Sequence, residues 1–201
     1  MNNEILSKYF NLIYENLNKF EFKLADKNKI YIPLFSSSIE HCISIAVLNR
    51  ENLTTSMYAL VRPAVECFLR AMWVKYCDEV DSLDDNLTSM HFPKKIEYLI
   101  EAVSKEVPEL ENYHSLKTIL ELTFKNMHDF THGGIQSIAR QYNSDEDILT
   151  NARDDDEIES ILKLSVLISL LSYEQKIQDH IGAEQLSLVI VNDMAKEIIG
   201  P

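Results

Sequence analysis

The sequence predicts an all-α protein, a single-domain helical bundle of about seven helices. Three observations carry this. Glycine (4) and proline (5) are scarce in the 201 residues, where average usage gives roughly 24 of the two together. A β-rich chain would also need turn residues about every 8–12 positions. Apolar residues recur at spacings of three and four through most of the chain. Finally, no repeat, low-complexity tract or Gly/Ser linker divides it, so residues 1–201 read as one domain with ample length for a core.

Ile5, Tyr9, Leu12, Ile13, Leu17 and Phe20 fall on one helical face and predict a first amphipathic helix. Residues 29–33 (KIYIP) read as a connector closed by Pro33. The run 34–48, apolar nearly all round, predicts a buried helix, and 49–52 a turn. Asn52 or Thr54 is the expected cap of the next helix, which runs to about Cys77 with a kink at Pro63.

Residues 78–93 are acidic and polar, a loop, and Pro93 suits the first turn of a helix that turns Ile96, Leu99, Ile100 and Val103 inward. A break at Pro108 precedes a helix over about 113–131, which Gly133 and Gly134 end. A short apolar piece (IQSIA) and a polar loop come next, with the acidic loop placed at 143–157. Asp154 to Asp156 then put negative charge at the start of a long helix, where the macrodipole favours it. Gly182 precedes a last helix over 184–199.

Composition narrows the function classes. Cys42, Cys67 and Cys77 have no knuckle or redox spacing, so they read as reduced, buried thiols of a cytoplasmic protein. The charged N-terminal helix is neither a signal nor a transit peptide. No uninterrupted apolar run reaches about 18 residues, so no membrane span or membrane partner is expected. A net charge of −13 opposes casual binding to nucleic acid or anionic lipid. The charge is uneven, however. Residues 145–159 hold eight acids and one base, a surface suited to a basic protein partner, whereas 50–75 carries Arg50, Arg62, Arg70 and Lys75 against Glu51 and Glu66.

Two stretches concentrate chemistry. Arg62, Glu66 and Arg70 stand at successive i, i+4 steps of an otherwise apolar helix, with Trp73 beside them. Charges on such a helix carry a desolvation penalty unless paired or turned to a polar pocket. The ladder is therefore either a structural ion network or an anion site whose guanidiniums offer forked donors to phosphate or carboxylate. In the second stretch, KNMHDFTHGG, His128 and His132 share a helical face. Such a pair can bind a metal or act as acid and base. With no third ligand readable, neither metal nor cofactor is expected. Core or capping histidines are the plainer alternative, and His41, His91, His114 and His180 are incidental.

The segments LVRPAVECFLRAMWV and MHDFTHGG together resemble a family of uncharacterised bacterial helical proteins with an R-P-x-x-E-x-x-x-R helix and a His-Gly-Gly helix end. More distantly they are similar to the HEPN superfamily of all-α domains. The likeness covers roughly residues 36–140. It implies an HEPN-like fold, a homodimer and RNA as a partner, with metal-independent ribonuclease activity of toxin or phage-defence type. The residues nearest the HEPN catalytic pattern are Lys125, Asn126 and His132, as K-N-x5-H, where lysine replaces the usual arginine. Arg62 or Arg70 would then supply the guanidinium. The rival expectation is a non-catalytic helical module that binds a partner protein or a small anionic ligand.

Overall fold

The computed structural model describes residues 3–19, 21–23, 27–77, 92–93, 95–107, 142–143, 148–149, 154–179 and 185–200. Among them are six helices: α1 (Asn3–Leu17), α2 (Asn28–Arg50), α3 (Thr54–Tyr76), α4 (Ile96–Glu106), α5 (Asp155–Ile177) and α6 (Gln185–Ile199). A minimal antiparallel pair joins β1 (Tyr142–Asn143) to β2 (Ile148–Leu149), with Tyr142 opposite Leu149. Among the described residues the architecture is all-α apart from this short ladder.

Helix α2 is the centre of the packing. It lies against α3 on one side and α5 on the other, while α4 covers α3, and α6 packs on α5 and α1. Among the described residues α2 is also the one helix long and apolar enough to cross a membrane, at a mean hydropathy of 1.4. Its inner face is buried in this core: Phe35, Ile39 and Cys42 have no exposed surface. The Phe35 ring meets Tyr31 at 6.1 Å and Phe68 at 6.2 Å between centroids, an edge-to-face and tilted stack across α2 and α3.

Helix α2 begins earlier than the sequence suggests. Residues 29–33 are helix, not connector, and Pro33 is the sixth residue of α2. Both Lys29 and Pro33 are exposed, so the helical bond that proline cannot donate is lost where water reaches the backbone. Burying Ile30, Tyr31, Ile32 and Phe35 outweighs that loss. Likewise α3 continues through Pro63 as one helix.

The α2–α3 corner is closed by backbone. Asn52 takes a left-handed φ of 57°, its amide donates to the Asn49 carbonyl and the Leu53 amide donates to Leu48 at 2.8 Å. This is a Schellman closure, and asparagine tolerates the conformation it needs. Neither Asn52 nor Thr54 caps α3: Leu53 occupies the cap position and Thr54 is already helical.

Helix α4 buries Ile96, Leu99, Ile100 and Val103 as its pattern demands, but it starts three residues after Pro93. Pro93 lies outside the helix because the preceding Phe92 is drawn against α3, where it contacts Trp73. Asp154 does cap α5, accepting from the amides of Asp156 and Glu157. Residues 155–157 are therefore helix rather than the end of an acidic loop. Asp154→Ala is expected to lower stability by about 1 kcal/mol, read as a shift in the urea midpoint with the slope unchanged. The 113–131 helix, Gly133-Gly134, IQSIA and most of the 78–93 loop lie outside the described residues.

Candidate functional site

The α3 ladder forms as its spacing requires. Arg62 Nε donates to Glu66 Oε1 at 2.7 Å, and an Arg70 terminal nitrogen lies 3.3 Å from Glu66 Oε2. The three side chains are 27, 21 and 34% exposed for Arg62, Glu66 and Arg70. They thus sit at the rim of the core, where the ion pairs are screened but not fully hydrated. Glu66 is shared by both guanidiniums, so one carboxylate offsets two positive charges.

Arg70 has capacity left over. Its Nε is buried and has no hydrogen-bond partner, and its guanidinium lies 5.5 Å from the centroid of Phe92. Phe92 in turn meets Trp73 at 6.5 Å and 62°, edge to face. A partly exposed cation thus rests on Phe92, itself paired with Trp73, an arrangement suited to an anionic ligand that also carries a flat ring. Cys67, between Glu66 and Arg70 in sequence, is not a thiolate. Burial pushes its thiol up, and the pull of Arg70 is opposed by Glu66. The fully buried Cys42 is raised further by desolvation.

Beyond Trp73 a groove of about 510 Å³ opens between the C-terminal part of α3 and α4. Trp73 stands on one side and Tyr98, Glu101, Ala102, Lys105 and Glu106 on the other. This groove was not legible from sequence, although Tyr98, Glu101 and Lys105 at i, i+3 and i+7 do mark a polar face with an aromatic in it.

A second polar region lies between α2, α3 and α5. The Lys176 amine donates to Ser36 Oγ at 2.7 Å and lies 5.3 Å from the Phe22 ring. Only 4% of Lys176 is exposed. It has no ion pair among the described residues, and burial draws its pKa down to about 8. Ser38 donates to the Ala64 carbonyl at 2.8 Å, and Ser172 meets Ser38 at 3.4 Å. Nearby, Lys75 donates to Asp179 at 2.9 Å and to the Gln175 carbonyl at 3.1 Å, tying α3 to the end of α5. Burial, reinforced by Asp179, pushes Tyr31 up to about 12. These contacts clamp helices together; none borders the α3–α4 groove.

Of the residues singled out in the sequence, Arg62, Glu66 and Arg70 are brought together. Lys125, Asn126, His128 and His132 lie outside the described residues. Part of the acidic 145–159 segment is committed internally: Asp154 caps α5, Glu157 accepts from Tyr58 at 2.8 Å, and Glu159 pairs with Lys163 at 3.0 Å. Those three carboxylates are correspondingly less available to a basic partner.

A family model described as "Family of unknown function (DUF6988)" matches residues 35–183, a span that contains the ladder and all of α3, α4 and α5. No curated protein and no solved structure matches the chain. The match extends over well more than half of the sequence, and the chain belongs to the DUF6988 family.

Proposed function

We propose that this chain is an HEPN-like, metal-independent ribonuclease of toxin or phage-defence type, acting in the cytoplasm as a homodimer. The observation that carries the reading is Arg70: a guanidinium on a side chain 34% exposed, paired with Glu66 and resting on Phe92 beside Trp73. Forked donors next to ring faces suit the phosphate and base of single-stranded RNA. In this reading Arg70 stabilises charge developing on the phosphoryl group. His132 moves the proton at the attacking 2′-hydroxyl or at the departing 5′-oxygen, as the P–O5′ bond breaks and the P–O2′ bond forms. The resemblance of the K-N-x5-H stretch to the HEPN pattern supports the assignment of His132, with Lys125 and Asn126 beside it.

The test is incubation of the purified protein with mixed RNA, with and without a chelator, alongside His132→Ala and Arg70→Ala. Cleavage that persists in chelator and is lost in both variants is the expected result. Cleavage indifferent to both changes sinks it. A second reading has its own support, because Glu66 is already ion-paired with both arginines, as a scaffold would require. In that reading the chain is a non-catalytic module for an anionic ligand. RNA binding without cleavage, weakened by Arg70→Ala, selects that alternative.

A further inference from the structure

The geometry points to the α3–α4 groove as a nucleobase subsite that selects guanine, with Trp73 and Tyr98 as its ring faces and Glu101 reading the base edge. The inference rests on the nucleic-acid reading of Arg70 and extends it to a place the ladder does not reach. Four features converge there. The groove holds about 510 Å³, enough for a base and its sugar, and both walls carry an aromatic ring. Tyr98 is 55% exposed although it is a large apolar side chain next to the core helix α3. Glu101, Lys105 and Glu106 have no ion pair or side-chain hydrogen bond among the described residues, so their donors and acceptors are unspent. Ala102, a small side chain, lines the groove beside them.

The position relative to Arg70 matters. The guanidinium lies 5.5 Å from Phe92, and Phe92 lies 6.5 Å from Trp73. A phosphate held by Arg70 would therefore place its own nucleotide, or the next one, beside the indole. Stacking on aromatic rings is tolerant of sequence, so the rings alone confer no choice of base. A carboxylate does. It is an acceptor only, and guanine alone presents two adjacent donors, N1–H and the N2 amino group, to a single carboxylate. Adenine and cytosine set an acceptor beside their amino donor, and uracil flanks its one N–H with carbonyls. Tyr98, Glu101 and Lys105 share one face of α4, so Glu101 stands between the ring and the cation of the groove.

Trp73 is the only tryptophan in the chain, so its fluorescence reports on this groove and on the Arg70–Phe92 cluster beside it. The intact protein would be titrated with GMP, AMP, CMP, UMP and guanosine. GMP is expected to quench Trp73 and to bind about tenfold tighter than UMP, the discrimination of one bidentate base contact. Glu101→Gln, an exposed substitution, should erase that preference. Equal responses to GMP and UMP, no response to any nucleotide, or a response to spermine in their place would overturn the subsite. Arg70→Ala separates the two readings. If it weakens all nucleotides but base preference was never present, the phosphate site stands and the guanine subsite falls. If GMP is still preferred in Arg70→Ala with undiminished affinity, the subsite stands and the phosphate site falls.

Discussion

Lys176→Met is expected to stabilise the protein by about 3 kcal/mol at pH 7. The amine is 4% exposed, is held by one serine hydroxyl at 2.7 Å, and has no carboxylate paired with it among the described residues. Burial lowers its pKa from 10.5 to about 8, so folding at neutral pH carries the full penalty of an ammonium under the surface. Methionine keeps the length and removes the charge, and Ser36 retains its bond to the Ile32 carbonyl at 2.9 Å. The pH dependence fixes the cause. Below about pH 8 both folded and unfolded chains carry the proton. Between 8 and 10.5 the unfolded chain binds more protons, so wild-type stability rises with pH through that window and the gap to Lys176→Met closes.

Other groups oppose this rise. Tyr31, pushed up to about 12 from 10.0, ionises earlier in the unfolded chain, and the raised thiols of Cys42 and Cys67 do the same. The difference between wild type and variant, measured by urea unfolding at pH 7, 8 and 9, isolates the lysine. A variant less stable than wild type at pH 7 would show that the amine serves the fold as an anchor instead.

Phe35→Ala is expected to cost about 4 kcal/mol, since it opens a cavity at a ring with no exposed surface. Tyr31 and Phe68 both pack on that ring, from α2 itself and from α3. Collapse into the space is limited because both neighbours belong to long helices anchored by many other buried side chains. In a domain of this length the loss corresponds to about 10 °C in Tm, read by circular dichroism. Phe35→Leu, which fills more of the space, should recover about half of it. An equal loss from both variants would mean that shape, rather than volume, governs the site.

What the sequence made legible followed from strict local rules. The ladder could be read because i, i+4 spacing leaves no freedom about which side chains meet. The helix start at Asp154 to Asp156 could be read because the macrodipole favours negative charge there, whereas the capping role of Asp154 emerged only from its bonds to the Asp156 and Glu157 amides. Pro33 misled because proline's local preference is weaker than the burial of four apolar neighbours, a contest decided only in three dimensions. The short β1–β2 pairing carries no alternation long enough to announce it.

Lys176 gave no signal because a lysine near a helix end ordinarily extends to solvent. Its burial depends on where Phe22 and α2 settle. The groove beside Trp73 was hidden for a related reason, since its two walls come from separate helices. Phe92, inside a stretch that reads as polar loop, gave no hint that it would underlie Arg70.

The Schellman closure at Asn52 has a kinetic consequence. It joins α2 to α3 through residues 51–53 alone, so the most extensive helix packing among the described residues brings together parts of the chain that are close in sequence. Loop-closure entropy is least for such a pairing, and topologies rich in local contacts assemble fastest. The antiparallel hairpin of α2 and α3 is thus the natural nucleus. Helix α5, which begins at Asp155, well downstream of the end of α3 at Tyr76, docks onto a surface already formed, and its hydroxyls and buried amine meet their partners last.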